Sequence, residues 1–144
     1  MKLIPISEHP DAARILYDLL AERSPEASIS HKKMPTWEEH LAFIHSQPYA
    51  DWCLVEGAYH GGISPPTYPI VGAVYLTRNN EIGVAVFRNL RGVGWGSQAV
   101  RMMMEKHGER RYFANVAPGN EPSRRMFEKL GFKHVQNTYA LEVE

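Results

Sequence analysis

The sequence predicts a mixed α/β (α+β) domain in which helices flank a mostly antiparallel sheet. Two segments with apolar residues at helical spacing fill much of the first third, and three strand-like runs separated by turn signals follow them. A strand-helix-strand unit then runs from Ile82 to Val116, and such a unit is expected to be parallel and right-handed. The predicted order is β-α-α-β-β-β-α-β-α-β-β.

Length and composition predict a single soluble domain over residues 1–144. The chain is 44% hydrophobic and 22% charged, which is typical of a globular protein. Its 16 basic and 16 acidic residues cancel, so no strong field attracts nucleic acid or an anionic membrane. No apolar run has the length of a signal peptide core or a membrane span, which favours a cytoplasmic location.

Cysteine and histidine usage predicts neither a disulfide nor a metal site. Cys53 is the only cysteine, and its apolar surroundings predict a buried thiol rather than a nucleophile. The seven histidines are scattered, with none of the spacings typical of metal ligands.

The first third predicts one strand and two helices. Residues 2–6 form a short strand, and Ser7 caps a helix that ends near residue 23. Residues 24–35 are polar, bounded by prolines, and predict a loop. Thr36 and Glu39 then have the spacing of a capping box at the start of the second helix.

An antiparallel meander is predicted next. The run that begins at Asp51 is followed by a loop rich in glycine and proline and by a second run, Ile70 to Leu76. The turn residues 77–80 lead directly into the third run, residues 81–87.

The last third predicts two helices and three strands. A helix follows the glycine stretch at residues 91–97, and it is followed by a strand over residues 111–116. Residues 120–131 predict a capped helix, and residues 132–135 and 138–143 predict a final antiparallel pair.

The stretch "RGVGWGS" (residues 91–97) has two interpretations. A helix N-terminus presents unpaired N–H groups, and glycines at positions 92, 94 and 96 would let an anion reach them, with Arg88 and Arg91 adding charge. The same glycines would also permit positive φ and close packing. A nucleotide-hydrolase phosphate loop is excluded because no lysine follows, and Ser97 replaces the third glycine of a dinucleotide fingerprint.

Two motifs in this order resemble the GNAT superfamily of N-acetyltransferases. Residues 91–96 match its Arg-x-x-Gly-x-Gly signature, and "NEPSRRMFEKLGF" (Asn120 to Phe132) resembles its second motif. The strand "VAV" (residues 84–86) lies five residues before Arg91, where family members bind the pantetheine arm. The resemblance covers essentially the whole chain and implies a GNAT-like fold, with strands carrying Val86 and Val116 that splay apart.

The resemblance also implies acetyl-CoA as the cofactor. Its pyrophosphate would lie on backbone N–H groups of the glycine stretch, and its pantetheine would pair with the strand edge. The cofactor-binding residues that the resemblance implies are Val84, Ala85, Val86, Arg91, Gly92, Val93, Gly94, Trp95, Gly96, Ser97, Asn120, Ser123 and Phe127.

The chain departs from the family at the position of the general acid. Phe127 replaces the tyrosine of the second motif, and phenylalanine has no proton to donate. Ser123 lies on the same helical face, and Tyr139, Tyr112 and Tyr75 are the other hydroxyls that can substitute. The catalytic candidates on this side are Ser123 and Tyr139.

A second departure concerns the general base. Asn115 stands where some relatives carry a glutamate, and an amide can orient a water or a substrate carbonyl but cannot accept a proton usefully. Glu81 is the preferred base, against the alternative of a solvated charge beside a turn; His31 and Glu56 are the other candidates. The N–H of Val86 is the expected donor to the oxyanion.

Three functions follow from these residues. The first is an N-acetyltransferase that moves the acetyl group of acetyl-CoA to a primary amine of an unidentified acceptor. The second is an acetyl-CoA-binding or regulatory module with weakened catalysis, and the third is nucleotide binding at the glycines.

The acceptor side should comprise the two N-terminal helices and the loops over residues 24–35 and 60–69. Related acetyltransferases are often homodimers, but this sequence carries no signal for the oligomeric state.

Overall fold

The computed structural model describes residues 1–23, 33–57 and 69–142. Most of the two loops predicted on the acceptor side therefore lies outside the described residues, as do His31 and the end of the last predicted strand.

Four strands and four helices make up the described fold. In chain order they are β1 (Lys2–Pro5), α1 (Ala12–Ala21), α2 (Trp37–His45), β2 (Asp51–Glu56), β3 (Ile70–Leu76), β4 (Ile82–Val86), α3 (Trp95–His107) and α4 (Glu121–Lys129). The first seven elements have the predicted order, and α4 corresponds to the last predicted helix.

The sheet has the order β1-β2-β3-β4 with every neighbour antiparallel, so the predicted meander is confirmed. Helices cover both faces because alternate strand residues point to opposite sides. One core joins Cys53, Val74 and Ile82 to α3 and α4, and a second joins Leu54 and Ala73 to α1. This is the predicted mixed fold, a sheet between two helical layers.

The first helix begins later than predicted. Ser7 lies in a short 3-10 turn, Ile6–Glu8, and α1 begins only at Ala12. Pro10 explains the difference, because a residue before proline is pushed out of the helical region, and His9 is extended with φ −117° and ψ 126°.

The second helix begins as predicted. Thr36 Oγ1 accepts a hydrogen bond from the N–H of Glu39 at 3.1 Å, and Glu39 Oε1 accepts from the N–H of Thr36 at 3.0 Å. A contact not predicted links α2 to α1, because buried His40 bonds through Nε2 to the carbonyl oxygen of Ala13 at 2.8 Å.

The strand predicted over residues 111–116 is reduced to one parallel bridge, between Glu81 and Phe113. The parallel orientation is therefore correct, but the extended pairing is wrong. Ala114, Asn115 and Val116 make no ladder contact in the described part of the chain, which agrees with the splaying expected between this segment and β4.

The final antiparallel pair is not formed in the described residues. Phe132 packs edge-to-face on Phe127, but residues 133–142 are exposed and form no strand. An isolated hairpin is marginal in water, and the neighbouring segment, 111–116, offers no continuous edge to extend the sheet. The prediction was wrong because the two strand-like runs can pair only beside a strand edge, and the segment 111–116 does not provide one.

Asp51 ties the end of α3 to the sheet. Its Oδ2 lies 2.8 Å from Lys106 Nζ and 2.8 Å from His107 Nε2, while Cys53 donates its S–H to Oδ1 at 3.3 Å. Partial burial acts to raise the pKa of Asp51, but hydrogen bonds from Lys106 and His107 outweigh it, so the pKa is lowered.

Asp51→Asn is expected to destabilise the protein by about 2 kcal/mol at pH 7, because it removes charge-assisted hydrogen bonds to a side chain only 12% exposed. A carboxylate with a lowered pKa stabilises the fold above its ordinary pKa, near 4, and this stabilisation is lost as the pH falls through the lower folded value. Urea unfolding of both proteins between pH 7 and pH 2.5 measures this difference, which should shrink at the acid end.

The control is Asp18→Asn, which breaks an exposed pair of Asp18 with Arg14 and should cost only a few tenths of a kcal/mol. Equal stability losses for the two variants at pH 7 would contradict the anchoring role of Asp51.

No helix in the described part of the chain combines the length and apolar character needed to cross a membrane.

Candidate active site

The outer edge of β4 is paired only at its beginning. Ile82 donates its N–H to the carbonyl oxygen of Phe113 at 2.7 Å, and Phe113 donates to Asn80 at 2.9 Å. Because backbone groups alternate along a strand, the N–H groups of Val84 and Val86 point to the same edge as that of Ile82. Within the described residues no backbone group pairs with them, so a slot opens beside these two residues.

Arg91 closes the loop at the end of this slot. Its Nε donates to the carbonyl oxygen of Val86 at 3.0 Å, which bridges the short turn at Arg88–Leu90. Arg88 does not join it, because its guanidinium donates to the carbonyl oxygen of Glu22 at 2.8 Å. Of the two arginines predicted to contact an anion, only Arg91 therefore lies at the glycine stretch with its terminal nitrogens outside the contact to Val86, and its contact with an anion stays a prediction.

Two glycines of the stretch have backbone conformations that side chains disfavour. Gly92 has φ 89° and Gly94 has φ 91°, and a Cβ at either position would meet no atom within 4 Å. They are therefore required by the turn, and they also leave open space above it. The two interpretations of the glycine stretch are compatible.

The beginning of α3 presents unpaired donors to that space. Gly94 is the N-cap residue, and the first backbone bond of α3 runs from Gln98 N–H to the Gly94 carbonyl oxygen at 3.1 Å. No N–H of residues 92–97 donates to another group in the ranges that the structure describes. Such a group of N–H donors, with the positive end of the helix dipole, suits an anion.

Packing holds this helix end in place. A Cβ on Gly96 would lie 3.2 Å from Met126 Sδ of α4, so the glycine permits close approach of the two helices. Trp95 packs into the main core and lies against Gly57 at the end of β2. The sequence indicated neither partner, because both contacts depend on how the elements come together.

The second motif forms the capped helix that was predicted, and it contains the whole of α4. Asn120 caps the helix, and its side-chain oxygen accepts from the N–H of Ser123 at 3.3 Å. Ser123 is half-buried in the first turn. Phe127 is 7% exposed and belongs to the core shared with α3, so its ring lies mostly out of reach of a ligand in the slot.

Glu81 and Asn115 are brought together. The Asn115 side-chain amide donates to Glu81 Oε2 across the point where β4 and the segment 111–116 part. Glu81 is half-buried and Asn115 is exposed. The carboxylate has a second oxygen free to accept, and Asn115 keeps its amide oxygen, so the pair can orient and deprotonate a polar group at the slot. Glu56, the alternative base, lies on β2 with β3 between it and β4.

The candidate tyrosines lie in three different environments. Tyr139 is 89% exposed on the C-terminal segment, and the structure does not bring it to Glu81 or β4. The Tyr112 hydroxyl donates to the last turn of α3, 2.7 Å from the Gly108 carbonyl oxygen. Tyr75 is the one whose ring lies on β4, against Gly83.

Cys53 is buried as predicted, and its thiol is bonded to Asp51. Burial, with the Asp51 carboxylate, raises the pKa of this thiol to about 12, which argues against a nucleophile. Among the residues described, no three histidine, cysteine or acidic side chains gather where they could hold a metal ion.

Several solved structures have a similar fold, and two of the three that follow are described as acetyltransferases. A domain from Methanocaldococcus jannaschii DSM 2661 has a TM-score of 0.79 at 21% identity, covering 95% of this chain and 90% of its own. The aminoglycoside 6′-N-acetyltransferase AAC(6′)-IG from Acinetobacter haemolyticus has a TM-score of 0.65 at 15% identity, with 100% and 99% covered. A Salmonella typhimurium protein described as an acetyltransferase, with its cofactor acetyl-CoA, has a TM-score of 0.60 at 14% identity, with 91% and 77% covered.

These identities establish the common fold only, and no curated protein matches the chain. The family model described as acetyltransferase (GNAT) family matches residues 14–132, a range that contains the whole of the sheet edge, the glycine stretch and α4. The chain therefore belongs to the GNAT family of acetyltransferases.

Proposed function

We propose that this protein is an N-acetyltransferase that uses acetyl-CoA and acetylates a primary amine. The observation that carries the proposal is the group of free backbone N–H donors at residues 92–97, next to the free edge at Val84 and Val86. Membership of the GNAT family and the acetyl-CoA in a structural neighbour support the choice of cofactor.

The residues at this site fit the cofactor. The open space above Gly92 and Gly94 accommodates a pyrophosphate, and the N–H groups of residues 93–97 would hold it. Arg91 keeps its terminal nitrogens for a charge-assisted contact while its Nε holds Val86. The N–H of Val86, at the end of β4 next to the glycine stretch, would hold a pantetheine amide by a strand-like hydrogen bond. When bound, acetyl-CoA supplies an acetyl thioester.

The reaction requires an unprotonated amine. An alkylammonium has a pKa near 10, so at neutral pH a base must remove a proton before the nitrogen can attack. Glu81 is that base in our proposal, directly or through one water, with Asn115 holding its carboxylate in place. In place of Val86, the N–H of Val84, which lies nearer to Glu81 along β4, is our proposed donor to the carbonyl oxygen of the thioester, where it favours negative charge.

The atoms balance without any further reactant. A C–N amide bond forms as the acyl C–S bond breaks, and coenzyme A leaves. Of the two protons that the ammonium loses, one ends on the coenzyme A sulfur and the other is released. Ser123 is our proposed donor toward the sulfur, since Phe127 lacks a proton and is buried. A thiolate is also a tolerable leaving group without an acid, because its pKa is near 8.5.

The primary experiment incubates the protein with acetyl-CoA and a panel of primary amines and follows the release of free thiol, with products read by mass spectrometry. Acetylated amine is the expected product. Calorimetric binding of acetyl-CoA without transfer to any amine would instead favour a binding or regulatory module, which Phe127 and Asn115 make the second candidate.

Gly94→Ala is expected to weaken acetyl-CoA binding at least tenfold, or about 1.4 kcal/mol, because it strains the turn that aims the N–H groups. Gly108→Ala is the control, since Gly108 also has positive φ, 81°, with no atom near its Cβ position, but lies at the other end of α3. With ψ −167°, Gly108 is in a region that essentially only glycine adopts, so Gly108→Ala should lose more unfolding free energy than Gly94→Ala, whose ψ is 7°. Calorimetry should nevertheless find weaker binding only for Gly94→Ala. Equal affinities would mean that the stretch is only a turn.

Glu81→Gln is expected to lower the rate at pH 7 roughly 100-fold if the carboxylate is the base. The deficit should shrink as the pH approaches the pKa of the amine, near 10, since the substrate then arrives unprotonated. Rate profiles between pH 6.5 and 10 measure this, with the exposed Glu109→Gln as control. A deficit independent of pH would assign Glu81 to binding rather than to proton removal.

A further inference from the structure

Four aromatic rings form one continuous surface on the α1–α2 face of the sheet. Tyr49 stacks on Tyr75 with ring centroids 4.1 Å apart and an interplanar angle of 9°. Trp52 meets Tyr49 edge-on at 4.8 Å, and Phe43 of α2 meets Trp52 edge-on at 6.0 Å. We call these four residues the aromatic surface. Phe43, 40% exposed, lies at its rim.

The aromatic surface reaches the candidate active site through Tyr75. The register places Trp52 opposite Tyr75 and Tyr75 opposite Gly83, so the three form a row across β2, β3 and β4. The Tyr75 ring lies directly over Gly83, where a Cβ would come within 2.3 Å of it. Glu81 is two residues before Gly83 and therefore belongs to the same face of the strand. The aromatic surface therefore extends to the neighbourhood of Glu81, the proposed base.

The polar atoms of these rings are available to a ligand. Neither the Tyr49 nor the Tyr75 hydroxyl, nor the indole N–H of Trp52, has a hydrogen-bond partner in the described ranges. Burial raises the pKa of Tyr49 to about 12, so its hydroxyl stays protonated at neutral pH. Burial also raises the pKa of Tyr75; the Arg23 guanidinium opposes this rise and the Glu81 carboxylate adds to it.

The composition of this surface discriminates between acceptor classes. An amino sugar with several ammonium groups needs several carboxylates and many hydrogen-bond partners. Here the described residues offer aromatic side chains, a few ring donors, the carboxylate of Glu81 and the guanidinium of Arg23, whose positive charge beside Tyr49 and Tyr75 disfavours additional ammonium groups. Aromatic faces attract flat rings and cations, and Glu81 attracts one ammonium.

We propose that the aromatic surface binds the acceptor and that the acceptor is an arylalkylamine, a single primary ammonium on a short chain that ends in an aromatic ring. The ring of the acceptor packs against the exposed parts of Phe43, Tyr49 and Trp52, since Tyr75 is covered by Tyr49 and Gly83, and its nitrogen lies at Glu81 beside the slot. This assignment rests on the proposed function and names the substrate class of the same site.

The test compares four amines in the thiol-release assay: 2-phenylethylamine, n-butylamine, kanamycin and a peptide with N-terminal alanine. We expect kcat/KM for 2-phenylethylamine to exceed that for n-butylamine at least tenfold. Phe43→Ala should raise the KM for 2-phenylethylamine roughly fivefold or more, and leave that for n-butylamine unchanged, because only the first amine has a ring to pack.

Two further variants keep the result interpretable. Phe43→Leu retains apolar volume but removes the π face, and it should also raise the KM for 2-phenylethylamine. Leu141→Ala, which shortens a 95% exposed side chain on the C-terminal segment, should change neither KM. Circular dichroism and thermal unfolding confirm that each variant is folded.

The outcomes separate the two proposals. Acetylation of kanamycin or of the peptide with no preference for 2-phenylethylamine over n-butylamine overturns the arylalkylamine assignment and leaves the N-acetyltransferase function standing. The same holds if the Phe43 variants raise the KM values for both small amines equally. Binding of acetyl-CoA without acetylation of any amine, in this panel or a wider one, overturns the function itself and the assignment with it.

Discussion

The site depends on where two neighbouring segments stop pairing. One parallel bridge at Glu81 and Phe113 holds them together, and beyond it β4 continues straight while residues 114–116 depart. Among the residues that the structure describes, the N–H groups of Val84 and Val86 then lack the partners that a continuous sheet would give them. Unpaired N–H groups at a strand edge make no hydrogen bond within the fold. A ligand that accepts hydrogen bonds from them therefore gains binding free energy without breaking a contact inside the protein. The same bridge positions the contact between Glu81 and Asn115.

The two halves of the site are held by opposite faces of the sheet. On one face, Ala99, Val100 and Met103 bury α3 in the core, which fixes its N-terminus at the end of the slot. On the other face, Tyr75 and its neighbours cover Gly83 and lead to Glu81. In our proposal, coenzyme and acceptor therefore approach a single strand from different sides. The anchor at Asp51 secures the distant end of α3, so the orientation of its N-terminus does not depend on the glycine stretch alone.

Local signals predicted well those features that a few consecutive residues determine. The capping residues Thr36 and Asn120, the meander and the apolar face of α3 were all predictable, because each follows from spacing along the chain. The predictions were wrong where a single residue or a distant partner determines the structure. Pro10 moves the start of α1 to Ala12, and residues 133–142 lack a strand edge to pair with. Of the site, the sequence identified Glu81 and Asn115 separately. Their contact and the ring of Tyr75 over Gly83 required the register of the sheet.

The contact between Arg91 and the carbonyl oxygen of Val86 has a consequence for solubility. A free strand edge is a template on which another chain can add a strand, and that addition needs both donors and acceptors in alternation. Arg91 occupies the last acceptor and lays a positive charge across the edge, as lysines do on natural edge strands. The N–H groups remain open to a small ligand. A second polypeptide strand would instead lack the acceptor at Val86 that a continuous set of strand hydrogen bonds requires. We therefore expect this one side chain to disfavour edge-to-edge pairing while it leaves the N–H groups of the edge open to a ligand.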